Sequence, residues 1–159
     1  MTKLTDHFSL EEMCKTNKNF KNVPNEAQVE NLKRLCRWLE MLRDEWNRRY
    51  EGAHSQPLPK GEGLEMPIVI NSGFRSEAVN KAVGGSATSN HLTGCAADIR
   101  VSGIEQLVRY ATILLDISDE SQEDFDELLL ERNAKGAYWL HFAVRATGNR
   151  RKVRLMSEK

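Results

Sequence analysis

The chain has no excess of charge of either sign. Lysine and arginine total 23 and aspartate and glutamate total 23, so the formal net charge of the 159 residues is zero. No overall field therefore draws the protein toward nucleic acid or an anionic membrane surface. The hydrophobic fraction of 40% and the charged fraction of 29% are ordinary for a globular domain. We predict a single domain over residues 1–159, with a basic C-terminal tail from about residue 146.

A long apolar run is also missing. The first seven residues, MTKLTDH, contain no apolar core of the kind that signal peptides carry. No stretch approaches the roughly 20 apolar residues that are needed to span a bilayer. We therefore expect a protein that is cytoplasmic as synthesised, with no signal peptide and no membrane segment.

Cysteine is scarce as well. The three cysteines, Cys14, Cys36 and Cys95, are odd in number and widely spaced, which does not fit a disulfide framework. Cys14 and Cys36 lie among apolar residues, so we expect both to be buried free thiols.

Hydrophobic spacing predicts the helices. Ser9 with Glu12 forms a capping box for a short helix that ends near Lys15. Ser102 with Glu105 predicts another helix start, followed by an acidic connector over 116–124. Apolar residues at three- and four-residue spacings predict one face of a long helix and one face of the helix after Ser102; these are Val29, Leu32, Leu35, Cys36, Leu39, Leu42 and Trp46, and then Ile104, Leu107, Val108, Ala111, Leu114 and Leu115.

Short apolar runs predict four strands, and residues 76–82 predict one or two helical turns. The predicted strands are 67–70, 96–101, 125–130 and 138–144, the last two joined by a hairpin loop at 132–136. Residues 52–65 hold prolines and glycines with little apolar content, which predicts an exposed loop with His54 at the surface.

Two histidines and one aspartate carry the chemistry. His91 and Asp98 lie in the run SNHLTGCAAD, and His141 ends the run WLH. Two imidazoles and one carboxylate are a ligand set of catalytic zinc, with a fourth position open for water. Because side chains alternate along a strand, Cys95 is turned away from the face of Asp98, so we expect it to pack rather than bind metal. The alternative is a loop histidine, a sheet-edge charge and a core histidine, which the full string around His91 and Asp98 disfavours.

The motifs around these residues resemble the zinc D-alanyl-D-alanine peptidases, which include DD-carboxypeptidases, DD-dipeptidases and phage endolysins. The matching positions are Ser72-Gly73-Phe74-Arg75-Ser76, Asn80, Val83-Gly84-Gly85-Ser86, Ser89-x-His91-x-x-Gly94-x-Ala96-x-Asp98 and Trp139-x-His141. The branch most resembled is that of short carboxypeptidase-like proteins from bacteria and prophages. The resemblance runs from Phe8 to Val144 and implies an α+β fold, shared with the Hedgehog signalling domain, with a central antiparallel sheet and flanking helices.

The resemblance also implies roles for single residues. His91, Asp98 and His141 would bind one zinc ion. Arg75 would bind or polarise the substrate, because its fork matches a carboxylate or carbonyl oxygen; a structural ion pair is the alternative. Ser89 would either hydrogen-bond the substrate or orient the His91 loop.

The general base is the least determined of these roles. The family places a glutamate before the last histidine, at the end of a segment that reads Asp-Gln-Leu-Ile-x-Glu. In this sequence the segment reads DELLLE and ends at Glu131. Glu127 replaces the usual glutamine and is a second candidate base. If Ala137 pairs with Glu131, then Glu127 pairs with His141 and all three acidic and imidazole groups share one sheet face. Glu127 would otherwise orient His141, or face solvent if the register slips by one residue.

The function implied is a zinc-dependent peptidase that hydrolyses peptidoglycan stem peptides, of the D-Ala-D-Ala carboxypeptidase type. A phage-type endolysin endopeptidase and a non-catalytic, zinc-stabilised binding domain are the alternatives. We expect a monomer that reaches the cell wall after release or lysis, with the loop at 52–65 shaping substrate access. The cluster Arg150-Arg151-Lys152-Arg154 is too short to predict nucleic-acid binding without an accompanying motif, although it could attract the anionic cell wall.

Overall fold

The computed structural model describes residues 1–51 and 65–157. The predicted loop at 52–65, with His54, lies outside the described residues except for Glu65. The elements, in chain order, are α1 (Leu10–Met13), α2 (Glu26–Trp46), β1 (Ile70–Ser72), α3 (Glu77–Ala82), β2 (Ala96–Arg100), α4 (Ile104–Ser121), β3 (Glu127–Arg132), β4 (Tyr138–Ala143) and β5 (Lys152–Ser157). A π-helical turn, Asn47–Glu51, extends α2, and a 3-10 turn, Asn90–Thr93, precedes β2.

The five strands form one sheet in the order β1-β2-β4-β3-β5. The first four strands pair antiparallel, and β5 runs parallel to β3 at the edge. The predicted α+β fold is confirmed, with a mixed rather than a wholly antiparallel sheet. Residues 152–157, which the sequence predicts as part of a basic tail, are the source of this difference because they form β5. Within the described residues, no helix is long and apolar enough to cross a membrane.

The core lies between the sheet and the two long helices. The predicted apolar stripe of α2 is buried from Leu32 to Trp46. Trp38 packs against Phe142 of β4 with ring centroids 5.5 Å apart, and Trp46 meets Tyr110 of α4 edge-on at 5.0 Å. Because one sheet face is covered in this way, the catalytic candidates are confined to the other face and its edges.

The start of α4 differs from the prediction. Gly103 is the N-cap residue and provides no side-chain hydrogen bond, while the backbone N–H of Ser102 donates to the Gln106 side chain at 2.7 Å. Ile104 and Val108, which were predicted on the buried face, lie on the outer side of α4, with 49% and 48% of their surface exposed. The buried face is rotated about the helix axis relative to the predicted one. Its apolar members are Leu107, Tyr110, Ala111, Ile113, Leu114 and Ile117.

The end of α4 and the start of β1 are also displaced from their predicted positions. The helix continues to Ser121 through most of the predicted acidic connector, because buried Ile117 and Ser118 prolong its inner face. The first strand begins at Ile70, and Ile68, two residues earlier, is buried without belonging to a strand.

The hairpin of β3 and β4 has a register two residues away from the predicted one. Glu131 pairs with Trp139 and Leu129 pairs with His141. The turn explains the difference: the Asn133 side chain accepts from the N–H groups of Lys135 and Ala137, at 3.0 and 2.9 Å. Ala137 therefore belongs to the turn. Because a shift of two residues preserves the alternation of side chains, the prediction that Glu127, Glu131 and His141 share one face holds.

Candidate metal centre

Asp98 and His141 are brought together by strand pairing. Ser72 of β1 is the partner of Asp98 on β2, Asp98 is the partner of His141 on β4, and His141 is the partner of Leu129 on β3. These four residues form one row across the uncovered face of the sheet. The spacing between neighbouring strands therefore fixes the distance between the carboxylate and the imidazole.

His91 is held by main-chain groups rather than by a strand. It lies on the 3-10 turn, where the Ser89 side chain accepts from its backbone N–H at 3.2 Å. Its carbonyl accepts from the N–H of Arg75 at 3.0 Å, and its ring Nδ1 lies 2.6 Å from the carbonyl oxygen of Gly73. Gly94 ends the turn with a φ of 78°, a conformation that glycine adopts without strain. This arrangement supports the orienting role among the two considered for Ser89.

The three side chains converge on one point. His91 Nε2 lies 3.3 Å from Asp98 Oδ2, and His141 Nδ1 lies 3.1 Å from Asp98 Oδ1. One ligand atom from each residue lies within 4.8 Å of the other two. In a tetrahedral zinc site with bonds of about 2.0–2.2 Å, neighbouring ligand atoms are separated by roughly 3.3–3.6 Å. The two separations from Asp98 are close to that range, so the group could hold one ion.

The contacts of each ring indicate which of its nitrogens would bind a metal ion. A carbonyl oxygen only accepts, so His91 Nδ1 donates to Gly73 and Nε2 keeps its lone pair. His141 lies between two carboxylates, with Nε2 3.0 Å from Glu127 Oε1 and Nδ1 3.1 Å from Asp98 Oδ1. With a metal ion next to Asp98, the proton would stay on Nε2 toward Glu127, and the Nδ1 lone pair would bind the ion. Neutral imidazoles held in this way, with the other nitrogen bonded to a carbonyl or carboxylate, are the usual form of metal-binding histidine.

Burial and charge act against each other at these groups. Burial by itself raises the pKa of Asp98, but the facing imidazoles of His91 and His141 outweigh it and hold this pKa well below its ordinary range. Burial lowers the pKa of His141, and its hydrogen bonds to Asp98 and Glu127 outweigh that effect and raise the pKa to about 9. The pocket therefore favours positive charge next to Asp98, as a metal ion would supply.

Arg75 borders the group and is largely buried. Its Nη2 donates to Asp98 Oδ2 at 3.1 Å and its Nε donates to the Ser72 side chain at 3.0 Å. Its Nη1 lies 3.4 Å from the Asn80 side-chain oxygen. Burial lowers the pKa of Arg75, and the negative charges of Asp98 and Glu131 oppose that shift. The ion pair expected as an alternative role is present, and three of the five N–H donors are used in these contacts.

The two candidate bases occupy different places on the same sheet face. Glu131 is half-buried and pairs with Trp139, which lies two residues before His141 on β4. Its negative charge acts on Arg75 and opposes the lowering of the Arg75 pKa. Glu127 is in contact with His141, and a hydrogen bond from that ring lowers the pKa of Glu127. Of the roles considered for Glu127, the contact matches the orienting one.

Cys95 stays apart from the centre, as its strand position predicts. It is a buried free thiol and is absent from the metal-binding group found among residues 1–51 and 65–157. Cys36 is likewise buried and free, and burial raises the pKa of its thiol above the ordinary range. Cys14 is free but only partly buried.

Four further residues form a group behind the contact between Glu127 and His141, and no sequence motif indicated them. Asn90, Asp126, Arg145 and Arg150 form a connected polar cluster next to Glu127. Arg150 belongs to the basic cluster considered above for nucleic acid or cell wall, yet it pairs with Asp126 at 2.8 Å. Arg151 pairs with Asp119 and Asp124. Only the adjacency of Asn90 to His91 in the sequence hints at this cluster.

The fold and site define an α+β protein with a buried His–Asp–His group that could hold a metal ion. The peptidase M15 family model matches residues 61–117, which include His91 and Asp98 but not His141. Over these residues the chain is similar to the peptidase M15 family, a family of zinc D-Ala-D-Ala peptidases, and this match supports the resemblance seen in the sequence. A comparison with curated proteins found no match.

Proposed function

We propose that the protein is a zinc-dependent peptidase that hydrolyses peptidoglycan stem peptides, of the D-Ala-D-Ala carboxypeptidase type. The observation that carries this proposal is the convergence of two imidazoles and one carboxylate beside a largely buried arginine. A site that only stabilises a fold is closed by four protein ligands. Here the described residues contribute three to the group, which leaves one position for chemistry.

The donor set suits zinc. His91 Nε2, Asp98 and His141 Nδ1 would hold the ion, because nitrogen and carboxylate ligands in a tetrahedral arrangement are its preference. When bound, zinc polarises a carbonyl oxygen and lowers the pKa of a water molecule to near 7.

Glu131 is the residue that we assign as general base. It would take a proton from the attacking water and deliver it to the leaving amine, which requires a carboxylate on the metal face. Glu131 is preferred because it occupies the glutamate position of the sequence motif, whereas Glu127 contacts Asn90 at 2.6 Å and His141 at 3.0 Å, which suits an orienting role. Both glutamates are candidates because the register of β3 and β4 puts them on the same sheet face as His141.

Arg75 would hold the substrate. Two of its N–H donors are not used in the contacts with Ser72, Asn80 and Asp98, and they can reach a carboxylate or a carbonyl oxygen. Arg75 also lines a cavity of about 450 Å³. The lining carries two cations and no carboxylate, and consists of Lys15, Thr16, Asn17, Asn71, Ser72, Arg75, Val79 and Val83. Positive charge beside two valines suits the carboxylate and methyl group of a C-terminal alanine.

The test is hydrolysis of defined stem peptides by the zinc-loaded protein. We expect release of free D-alanine from peptides that end in D-Ala-D-Ala. Glu131→Gln should lower kcat by about 10²- to 10⁴-fold with zinc content unchanged, since the base acts only in the reaction. Glu77→Gln, an exposed position on α3, is the matched control.

The products and variants separate the alternatives. Cleavage inside the stem peptide without release of D-alanine would identify an endopeptidase. Stoichiometric zinc with no turnover on any stem peptide would identify a binding domain. If Glu127→Gln abolishes turnover at full zinc content while Glu131→Gln does not, Glu127 is the base.

A further inference from the structure

We propose that Asn90 is a positioning residue that fixes His141 by holding Glu127 in place. The inference rests on the proposed function, since it concerns the same metal site. Asn90 directly precedes His91 in the chain, yet its side chain binds Asp126 and Glu127 at the start of β3, the strand next to the one that carries His141. One residue would in this way couple the two separate segments that supply the imidazoles.

The first step is the contact with Glu127. Asn90 Nδ2 donates to Glu127 Oε1 at 2.6 Å, and the same oxygen lies 3.0 Å from His141 Nε2. Glu127 Oε1 thus joins the amide of Asn90 to the ring of His141. A carboxylate that bonds the distal nitrogen of a metal-binding histidine fixes its tautomer and ring orientation.

The second step is the anchor behind Asn90. Its Nδ2 also donates to Asp126 Oδ2 at 2.8 Å, and its Oδ1 accepts from Arg145 Nε at 2.9 Å. The two N–H groups and the oxygen of the amide are therefore all engaged. Asn90 is itself buried, so its side chain has little freedom to leave these partners.

Asp126 gives the anchor its rigidity. It is fully buried, and Arg150 binds both of its oxygens, with Nε at 3.0 Å from Oδ1 and Nη2 at 2.8 Å from Oδ2. Arg145 Nε lies 3.2 Å from Oδ2 as well. A buried carboxylate with a two-point arginine contact is held more firmly than one with a single bond.

The charges explain why an amide is needed at this point. Asp126 and Glu127 are consecutive carboxylates, and Asn90 donates to both. A neutral donor between two carboxylates stabilises them without adding charge next to the metal face. An acidic residue of the same shape would repel both of them and would offer no N–H donor.

The test compares Asn90→Asp with Asn90→Ala. Asn90→Asp keeps the shape and removes the donor, so we expect the affinity for Zn²⁺, measured by competition with a chromogenic chelator, to fall about 10- to 100-fold. Asn90→Ala should lose less than Asn90→Asp, because it adds no charge. The absorption spectrum of the Co²⁺-loaded protein should change in both variants, since it reports the ligand geometry at His141.

Asn31→Asp is the matched control. The Asn31 side chain donates to the carbonyl oxygen of Thr93 at 2.9 Å, so it is tied to the same 3-10 turn, while the hydrogen bonds of Glu127 are those with Asn90 and His141. We expect wild-type Zn²⁺ affinity and an unchanged Co²⁺ spectrum for it. Arg145→Gln provides a second route if Asn90→Asp does not fold, because it releases the Asn90 amide from its other side, and it should weaken Zn²⁺ binding.

The proposal is overturned if Asn90→Asp, or Arg145→Gln in its place, binds Zn²⁺ as tightly as the wild type with an unchanged Co²⁺ spectrum. It is also overturned if Asn31→Asp loses as much affinity, since the effect would then belong to the turn. These readouts involve no peptide. Failure of the wild type to cleave stem peptides would therefore count against the proposed function and not against the role of Asn90.

Discussion

The two histidines of the candidate site are held by different kinds of structure. His91 is fixed by main-chain groups, with its ring bonded to the carbonyl of Gly73 and its carbonyl bonded to the N–H of Arg75. His141 is fixed by side chains, with its ring bonded to Glu127, which Asn90 holds in turn. Asp98 contacts both rings.

This difference separates two ways of building a metal site. The position of a carbonyl follows from the path of the backbone, so the His91 side tolerates most side-chain changes around it. The His141 side depends on a series of polar side chains, each of which can be removed singly. We therefore expect the His91 side to be sensitive to glycine substitutions and the His141 side to be sensitive to the removal of polar groups.

The largest effect should come from the residue that the two sides share. Asp98→Ala removes the charge between both imidazoles, so we expect loss of stoichiometric zinc and of all measurable hydrolysis. Zinc content by atomic spectroscopy and release of D-alanine are the measurements. Asp44→Ala, on the exposed side of α2, is the control. Full hydrolysis by a metal-free Asp98→Ala protein would remove the metal site from the mechanism.

The next largest effect should come from Gly73, whose backbone carbonyl holds the ring of His91. A Cβ on Gly73 would meet the backbone carbonyl of Met13, which cannot rotate away. We expect Gly73→Ala to lower the free energy of unfolding by about 1–3 kcal/mol, and to weaken Zn²⁺ binding by displacing the carbonyl that His91 uses. Urea unfolding and chelator competition are the measurements.

Gly103→Ala is the control for this change. No atom lies within 4 Å of the added carbon, and the φ of 167° is extended backbone. Its free energy of unfolding should change by no more than about 0.5 kcal/mol. If Gly73→Ala and Gly103→Ala lowered the free energy of unfolding equally, the effect of Gly73→Ala could not be assigned to its contact with the Met13 carbonyl.

The smallest effect concerns the polar side chains behind His141 and is measured as the dependence of stability on pH. Burial by itself raises the pKa of Asp126, but bonds from Arg150, Asn90 and Arg145 outweigh it and lower the pKa to about 2 from an ordinary 3.8. A lowered pKa stabilises the fold above the ordinary value. This contribution, about 2 kcal/mol, is lost as the pH falls from about 4 through 2.

Arg150→Gln should reduce that dependence on pH. Without the guanidinium, the pKa of Asp126 moves back toward its ordinary value, so the variant should be less stable by about 1 kcal/mol at neutral pH. Its urea midpoint should then fall less steeply than the wild-type midpoint between pH 4 and pH 2. Parallel curves for the two proteins would mean that Arg150 does not hold Asp126.

Local patterns were enough to predict several features of the fold. The stripe of α2 and the shared face of Glu127, Glu131 and His141 follow from periodicity, which depends only on neighbours in the chain. The start of α4 could not be predicted in the same way, because the Gln106 side chain accepts from the backbone N–H of Ser102, which the Glu105 side chain would bind in the expected capping box. The hairpin register depended on the side-chain contacts of Asn133.

The C-terminal segment was predicted least well. Its charges favour a solvated tail, yet residues 152–157 add a parallel strand to β3. Parallel pairing joins residues that are far apart in sequence, and no pattern within the segment specifies its partner. Arg150 and Arg151 are consequently bound to Asp126, Asp119 and Asp124 rather than available to an external anion.

The sequence by itself determined which residue types carry the chemistry, because the ligands lie in short motifs and on alternating strand positions. Only the tertiary structure decided which nitrogen of each imidazole faces Asp98, since Gly73 and Glu127 take the opposite nitrogens. It also decided that Glu127 contacts His141, with Asn90 behind it. These choices require atoms from segments that are distant in the chain to lie within hydrogen-bond distance, and folding alone brings them together.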